Sequence, residues 1–236
     1  MLSWFRFFSR WPLWALHALG SVGGWLAWCF SGQYRRRFLD NARQAGLGWS
    51  TVWRAVGQAG RMSAELPRLW LGRTPPLAWA DDRAAVEAYA SGQGVLFLTP
   101  HMGCFEITAQ YLSSFGDITV LYRAPKSAVA QELILTGRKR AQLHLAPADL
   151  SGVRALIKAL KKGQAVGMLP DQAPKVGEGL WLDFFGKPAY TMTLAARLTE
   201  TGATKHRGQL LGLHRQRHFC CPDVAGLGQH RGHVNQ

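Results

Sequence analysis

From about residue 82 onward, short apolar runs alternate with segments whose apolar positions recur at helical spacing. The runs Gly94–Thr99, Ile118–Arg123, Leu143–Ala146 and Ala165–Leu169 are nearly continuous in Val, Leu, Ile and Ala, as expected of strands buried on both faces. Between them, Arg83–Ala90, Cys104–Phe115, Ser127–Ala141 and Ser151–Lys162 read as helices. A loop from Asp171, a further strand Leu180–Phe185 and a helix Thr191–Glu200 follow. Strands joined through helices of this length need crossover connections, so the pattern predicts an α/β fold: a largely parallel sheet flanked by helices on both faces.

Upstream the pattern changes. Residues 38–72 space Val52, Val56, Met62, Leu66 and Leu69 helically, and Pro67 and Gly72 act as breakers, which predicts two short helices; Pro75-Pro76 marks a boundary. Trp11 to Tyr34 holds no Lys, Arg, Asp or Glu. As a helix at about 1.5 Å per residue it is long enough to cross a hydrocarbon core of about 30 Å. His17, Gly20, Ser21, Gly23, Gly24, Ser31 and Gly32 dilute its apolar character, so a spanning, an interfacial and a buried soluble helix all stand open. Gly20-x-x-x-Gly24 fits either close helix packing or chance in a Gly-rich stretch. No small-x-small cleavage site follows, and Trp28 spoils a lipoprotein-type site, so the segment is expected to stay attached. The expected organisation is a membrane-anchor helix (1–34), a helical linker (35–80), an α/β core (81–203) and an atypical, poorly ordered tail (204–236).

The 236 residues, 47% hydrophobic, suffice for one sizeable α/β domain with an appendage. A formal charge of +14 attracts anions of several kinds, and its placement narrows the choice. Residues 1–60 hold seven Arg, one acid (Asp40) and seven of the ten Trp. Arg beside Trp points to a membrane interface rather than nucleic acid, and Arg35-Arg36-Arg37 after the uncharged stretch favours a cytoplasmic core. Cys29, Cys104, Cys220 and Cys221 have no spacing that frames a disulfide fold, which fits a reducing compartment.

Candidate chemistry concentrates in Gly94–Glu106, where a strand ends at Pro100 and is followed by His101 and, five residues on, Glu106. The carboxyl edge of an open α/β sheet is where ligands collect. An imidazole oriented by a carboxylate can take a proton from a hydroxyl, as in a catalytic triad whose nucleophile the substrate supplies. A strand-end histidine satisfied by a neighbouring carbonyl is the plainer reading of the pair taken alone.

Four blocks in order, His101-x4-Glu106, Tyr122-Arg123, Pro170-Asp171-Gln172 and Phe184-Phe185-Gly186-Lys187-Pro188-Ala189-Tyr190-Thr191, resemble the bacterial lipid A biosynthesis acyltransferases, a branch of the lysophospholipid acyltransferase superfamily. The resemblance covers roughly residues 1–203; Cys104 and Phe105 depart from the branch's usual Asn-Trp before the glutamate. It implies transfer of a fatty acyl group from acyl carrier protein to a hydroxyl of an anionic lipid A precursor, with no cofactor and no metal. The core is expected at the cytoplasmic face of the bacterial inner membrane. His101 and Glu106 would be catalytic, and Cys104 is not needed as a nucleophile.

Arg123, Asp171 and Gln172 are candidates for substrate or oxyanion contact. Arg123 would offer a fixed positive charge or pair with Asp171, and Asp171 would orient Arg123 or a loop amide. Phe184 and Phe185 are candidates for an acyl pocket, with core packing as the alternative. Arg138-Lys139-Arg140 and Lys161-Lys162 read as solvated helix ends.

After about Ala203 the resemblance stops: residues 203–236 hold five of the eight His and one acid, Asp223. A tail out of register with the family is expected, leaving the core's sheet incomplete. A zinc site at His214, His218, Cys220 and Cys221 is the other reading. Two further functional readings stay open: acyl-CoA-dependent acylation of another glycolipid or phospholipid, and a non-catalytic basic membrane-binding protein.

Overall fold

The structure, a computed structural model, describes residues 2–73 and 83–200; Pro75-Pro76 and the proposed zinc cluster lie outside these residues. Four helices come first: α1 (Leu2–Ser9), α2 (Leu13–Phe30), α3 (Gly32–Gln44) and α4 (Trp49–Leu71). The core follows as α5 (Arg83–Ala90), β1 (Val95–Leu98), α6 (Phe105–Leu112), β2 (Ile118–Tyr122), α7 (Ala128–Gly137), β3 (Leu143–Pro147), α8 (Leu150–Lys161) and β4 (Ala165–Met168). A ribbon of β5 (Gly179–Phe184) and β6 (Lys187–Met192) leads to α9 (Leu194–Glu200).

β1 to β4 form one parallel sheet in the order β1-β4-β2-β3. Alternate side chains leave on opposite faces. Leu96, Val166, Met168 and Ala146 pack with Leu156 and Leu160 of α8 and Leu198 of α9 on one side. Phe97, Ala165, Ile118 and Leu143 pack with Ala85 of α5 and Leu112 of α6 on the other. The expected α/β architecture, parallel sheet with helices on both faces, is what the chain adopts.

Two expectations need correction. Pro67 does not break a helix: it is buried inside α4, and the actual break falls between Gln44 and Trp49. A proline removes one backbone hydrogen bond, but here Leu69 and Trp70 in the next turn are locked into a core with Ile107 and Leu133, and that packing holds the helix together. The second correction concerns β6, which occupies Lys187–Met192 where a loop into a helix at Thr191 was expected. It pairs antiparallel with β5 in a ribbon separate from the sheet; Lys187, Pro188, Ala189, Tyr190 and Thr191 form no apolar run of the kind that betrays a buried strand.

α2 and α4 run antiparallel, Trp25 packing tilted against Trp53 at one end and His17 Nε2 meeting Glu65 Oε1 at 2.5 Å near the other. Gly20 and Gly24 of α2 face Gly60 of α4 so closely that a Cβ on Gly60 would fall 1.9 Å from the Gly20 carbonyl oxygen. The Gly20-x-x-x-Gly24 pattern is therefore a packing surface, small residues letting two backbones approach. The rest of α2 stays uncovered, with Leu19, Val22, Leu26 and Phe30 exposed. It is the one helix among the described residues long and apolar enough to cross a membrane.

Gly60→Leu should wedge the pair apart and cost about 1–3 kcal/mol, as overpacked sites do. Gly23→Leu, at a glycine with open space around it, should leave stability within about 0.5 kcal/mol. Thermal unfolding of the two variants in detergent checks the difference.

Candidate active site

β4 inserts beside β1, with Leu98 level with Met168 and the Thr99 N–H donating to the Met168 carbonyl at 3.1 Å. Counting three residues on along each chain brings His101 opposite Asp171. The Asp171 carboxylate takes both donors of His101: Oδ2 accepts from the backbone N–H at 2.7 Å, and Oδ1 accepts from ring Nδ1–H at 2.7 Å. Partial burial pushes the Asp171 carboxyl up, but the His101 ring and backbone hydrogen bonds and the nearby imidazole charge outweigh it and hold the group below its ordinary range.

With Nδ1 protonated, Nε2 carries the free lone pair. Gln172 places its side-chain Nε2 3.3 Å from it, an amide donor occupying the position a substrate hydroxyl would take. Phe105, the first residue of α6, meets the imidazole edge-on at 4.7 Å between ring centres. Gly103 turns the chain between them at φ +56°, a left-handed conformation that costs a glycine little.

The structure does not bring Glu106 onto the imidazole. Successive helix residues point about 100° apart, so with Phe105 against His101 the next side chain enters the interior. There the Glu106 carboxylate accepts from Trp70 Nε1 at 3.0 Å and from Arg138 Nε at 2.9 Å, and closes a second, very short contact with Arg138 Nη2. The Arg138 guanidinium also lies 5.8 Å from the centre of the Trp70 ring. Glu106 thus ties α6 to α4 and α7 behind the site.

Trp70 and Arg138 were not singled out as site residues, and Arg138 was read as solvated. The available signal was Glu106 itself, since a carboxylate on an apolar helix needs a buried cation. Arg140 is likewise no free helix end: it donates to Gln110 Oε1 at 2.9 Å and to the Leu69 carbonyl at 3.2 Å.

The remaining candidates separate. Arg123 follows β2, two strands from β1 and so about 10 Å across the same edge; it is exposed and pairs with nothing among the described residues. The expected Arg123–Asp171 pair is not formed, Asp171 being turned to a loop amide and ring of His101. Phe184 and Phe185 are not core. Both are exposed and line an apolar groove of about 530 Å³ with Phe38, Ala42, Leu47 and Val52. That groove sits at the start of α4, about 20 Å along the helix from Glu65, so Phe184 and Phe185 are not gathered around His101. Cys104 is buried, and burial together with the nearby Glu65 and Glu106 carboxylates pushes its thiol far up, the reverse of an activated nucleophile.

A histidine and a carboxylate thus meet at the carboxyl ends of adjacent parallel strands, the edge where open α/β sheets collect ligands. The profile of the bacterial lipid A biosynthesis acyltransferases matches residues 52–205, and the chain belongs to that family. A comparison with curated proteins finds no match.

Arg138→Met should leave Glu106 buried without its cation and cost about 3–5 kcal/mol. Adding Glu106→Gln in the same chain should recover part of that loss, which denaturant unfolding of the single and double variants would show. In the folded protein Cys29, which is exposed, should react with iodoacetamide while Cys104 does not, as peptide mass spectrometry can check.

Proposed function

We propose that this acyltransferase moves a fatty acyl group from an acyl carrier protein thioester to a hydroxyl of a phosphorylated, glucosamine-based lipid A precursor, at the cytoplasmic face of the bacterial inner membrane. The observation that carries the reading is the His101–Asp171 contact in a chain of this family. The net charge of +14 suits both an acidic carrier and an anionic acceptor.

The acceptor hydroxyl displaces the Gln172 amide and donates to His101 Nε2. As the imidazole takes the proton, the hydroxyl oxygen bonds to the thioester carbonyl carbon, and the carbonyl pair moves onto oxygen. Asp171 stabilises the imidazolium so formed and keeps Nδ1 protonated throughout. Arg123, unpaired among the described residues at the same sheet edge, and backbone N–H groups are the available partners for the oxyanion. Collapse breaks the carbon–sulfur bond, and the carrier thiolate takes the proton back from Nε2. No acyl-enzyme is required, in keeping with the buried, protonated Cys104. Glu106 acts through Arg138 and Trp70, holding the turn that carries His101 rather than the ring itself.

The test is a donor and acceptor screen with detergent-solubilised protein and three variants. His101→Ala should abolish transfer. Asp171→Asn should lower kcat by about 10²-fold or more, with stability altered little at low pH. The sign follows from the lowered pKa: stabilisation by the Asp171 carboxylate is complete above its unfolded value and disappears as pH falls through the lower folded value, so the variant's deficit should shrink on acidification. Glu106→Gln should lose stability in the first place. Full activity of His101→Ala, or exclusive use of acyl-CoA, would overturn the reading.

A further inference from the structure

The β5–β6 ribbon presents an apolar surface that the described core does not cover. Leu180, Trp181, Leu182, Phe184 and Phe185 are between 51% and 69% exposed. Because alternate side chains face opposite ways, Leu180, Leu182 and Phe184 occupy one face and Trp181, tilted against Tyr190 with ring centres 5.3 Å apart, the other. Leu180, Leu182 and Phe184 make one face of the ribbon apolar along its length, while the other sets Trp181 beside the exposed Asp183, a combination that suits an interface between apolar and polar surroundings.

The turn at its tip adds an independent sign. Phe185 and Gly186 connect Phe184 to Lys187 with φ +52° and +71°, a two-residue turn with both central residues left-handed, where Asn-Gly is the favoured pair. A bulky aromatic at φ +52° is a strained choice, and strain of this kind persists where the side chain serves a purpose at that spot.

The tip rests on the α3–α4 corner, where Gln44 Nε2 donates to the Phe184 carbonyl at 3.0 Å and the groove of about 530 Å³ opens between Phe184, Phe185 and Phe38. Around it, Trp49 and Trp53 are exposed, and α3 and α4 carry Arg36, Arg37 and Arg54 at the surface. Asp183 and Lys187 near the turn fit a depth at the headgroups rather than the bilayer centre. Exposed aromatics and arginines on the same two helices complement an anionic leaflet, and α3 follows directly from the apolar α2.

We infer that the β5–β6 ribbon and the α3–α4 corner form a second membrane-contacting surface, distinct from α2, which seats on an anionic bilayer and takes a lipid acyl chain into the groove. The full chain is placed in vesicles of zwitterionic and anionic phospholipid containing a phospholipid with a diazirine in its acyl chain, then irradiated and digested with trypsin. The peptide Val176–Arg197 should carry lipid adducts, as should peptides from α1 and α2. Phe185→Asn separates contact from folding: it relieves the turn and should raise the thermal midpoint, yet reduce adducts on Val176–Arg197 several-fold while those on α1 and α2 stay. Labelling confined to α1 and α2, unchanged adducts in Phe185→Asn, or cross-linking of the ribbon to a second copy or another segment of the chain in place of lipid would each overturn the inference. None of these readouts depends on acyl transfer.

Discussion

His101 and Asp171 are brought together by the parallel pairing of β1 with β4, strands 70 residues apart in the chain. The carboxylate binds the backbone and the ring of the same histidine, so it fixes where the strand end lies and which ring nitrogen is left for other partners. β4 can occupy this central place because it is buried throughout and carries Gly167, where a Cβ would lie only 2.9 Å from Val120 of β2. A larger residue there would press β2 and β4 apart and disturb the sheet edge that the carboxylate spans.

Behind this edge sits a second buried polar assembly, Glu106 with Arg138 and Trp70. Its removal from water is costly, and the compensation comes only when three helices hold their positions together. Two carboxylates therefore divide the work by environment. Asp171, partly exposed and next to His101, can respond to a charge forming on the ring, whereas Glu106 is committed to Arg138 and can only support the turn from Gly103 to Phe105.

The division was not legible in the sequence, although the strands were. β1 to β4 read as apolar runs correct to within a residue or two, because burial itself writes that signal, most fully in β4, even though β3 at the sheet edge leaves His144 exposed. Strand order leaves no such mark. A spacing of five residues made Glu106 the natural partner of His101, and only the insertion of β4 beside β1 shows that Asp171 is the nearer carboxylate. β6 carries no such mark, since Lys187 to Thr191 form no apolar run, and Pro67 reads as a helix break because local propensity does not contain the packing of Leu69 and Trp70 that overrides it. Arg138 and Glu106 share one cause: their pairing joins two different helices, and neither helix alone shows the partner.

The helices before residue 73 also bear on the chemistry. Gly20, Gly24 and Gly60 remove the side chains that would separate α2 from α4, and the close approach brings His17 onto the fully buried Glu65. Glu65 in turn neighbours the Cys104 thiol, one residue from Gly103 and three from His101. The uncovered face of α2 therefore connects, through His17, Glu65 and Cys104, to the turn that holds the imidazole. An isolated span tethered by a flexible linker would leave the position of the site over the bilayer undefined. A helix pair packed along its length fixes the sheet edge that carries His101 relative to whatever surface receives α2, and this constraint bears directly on the lipid acceptor proposed above.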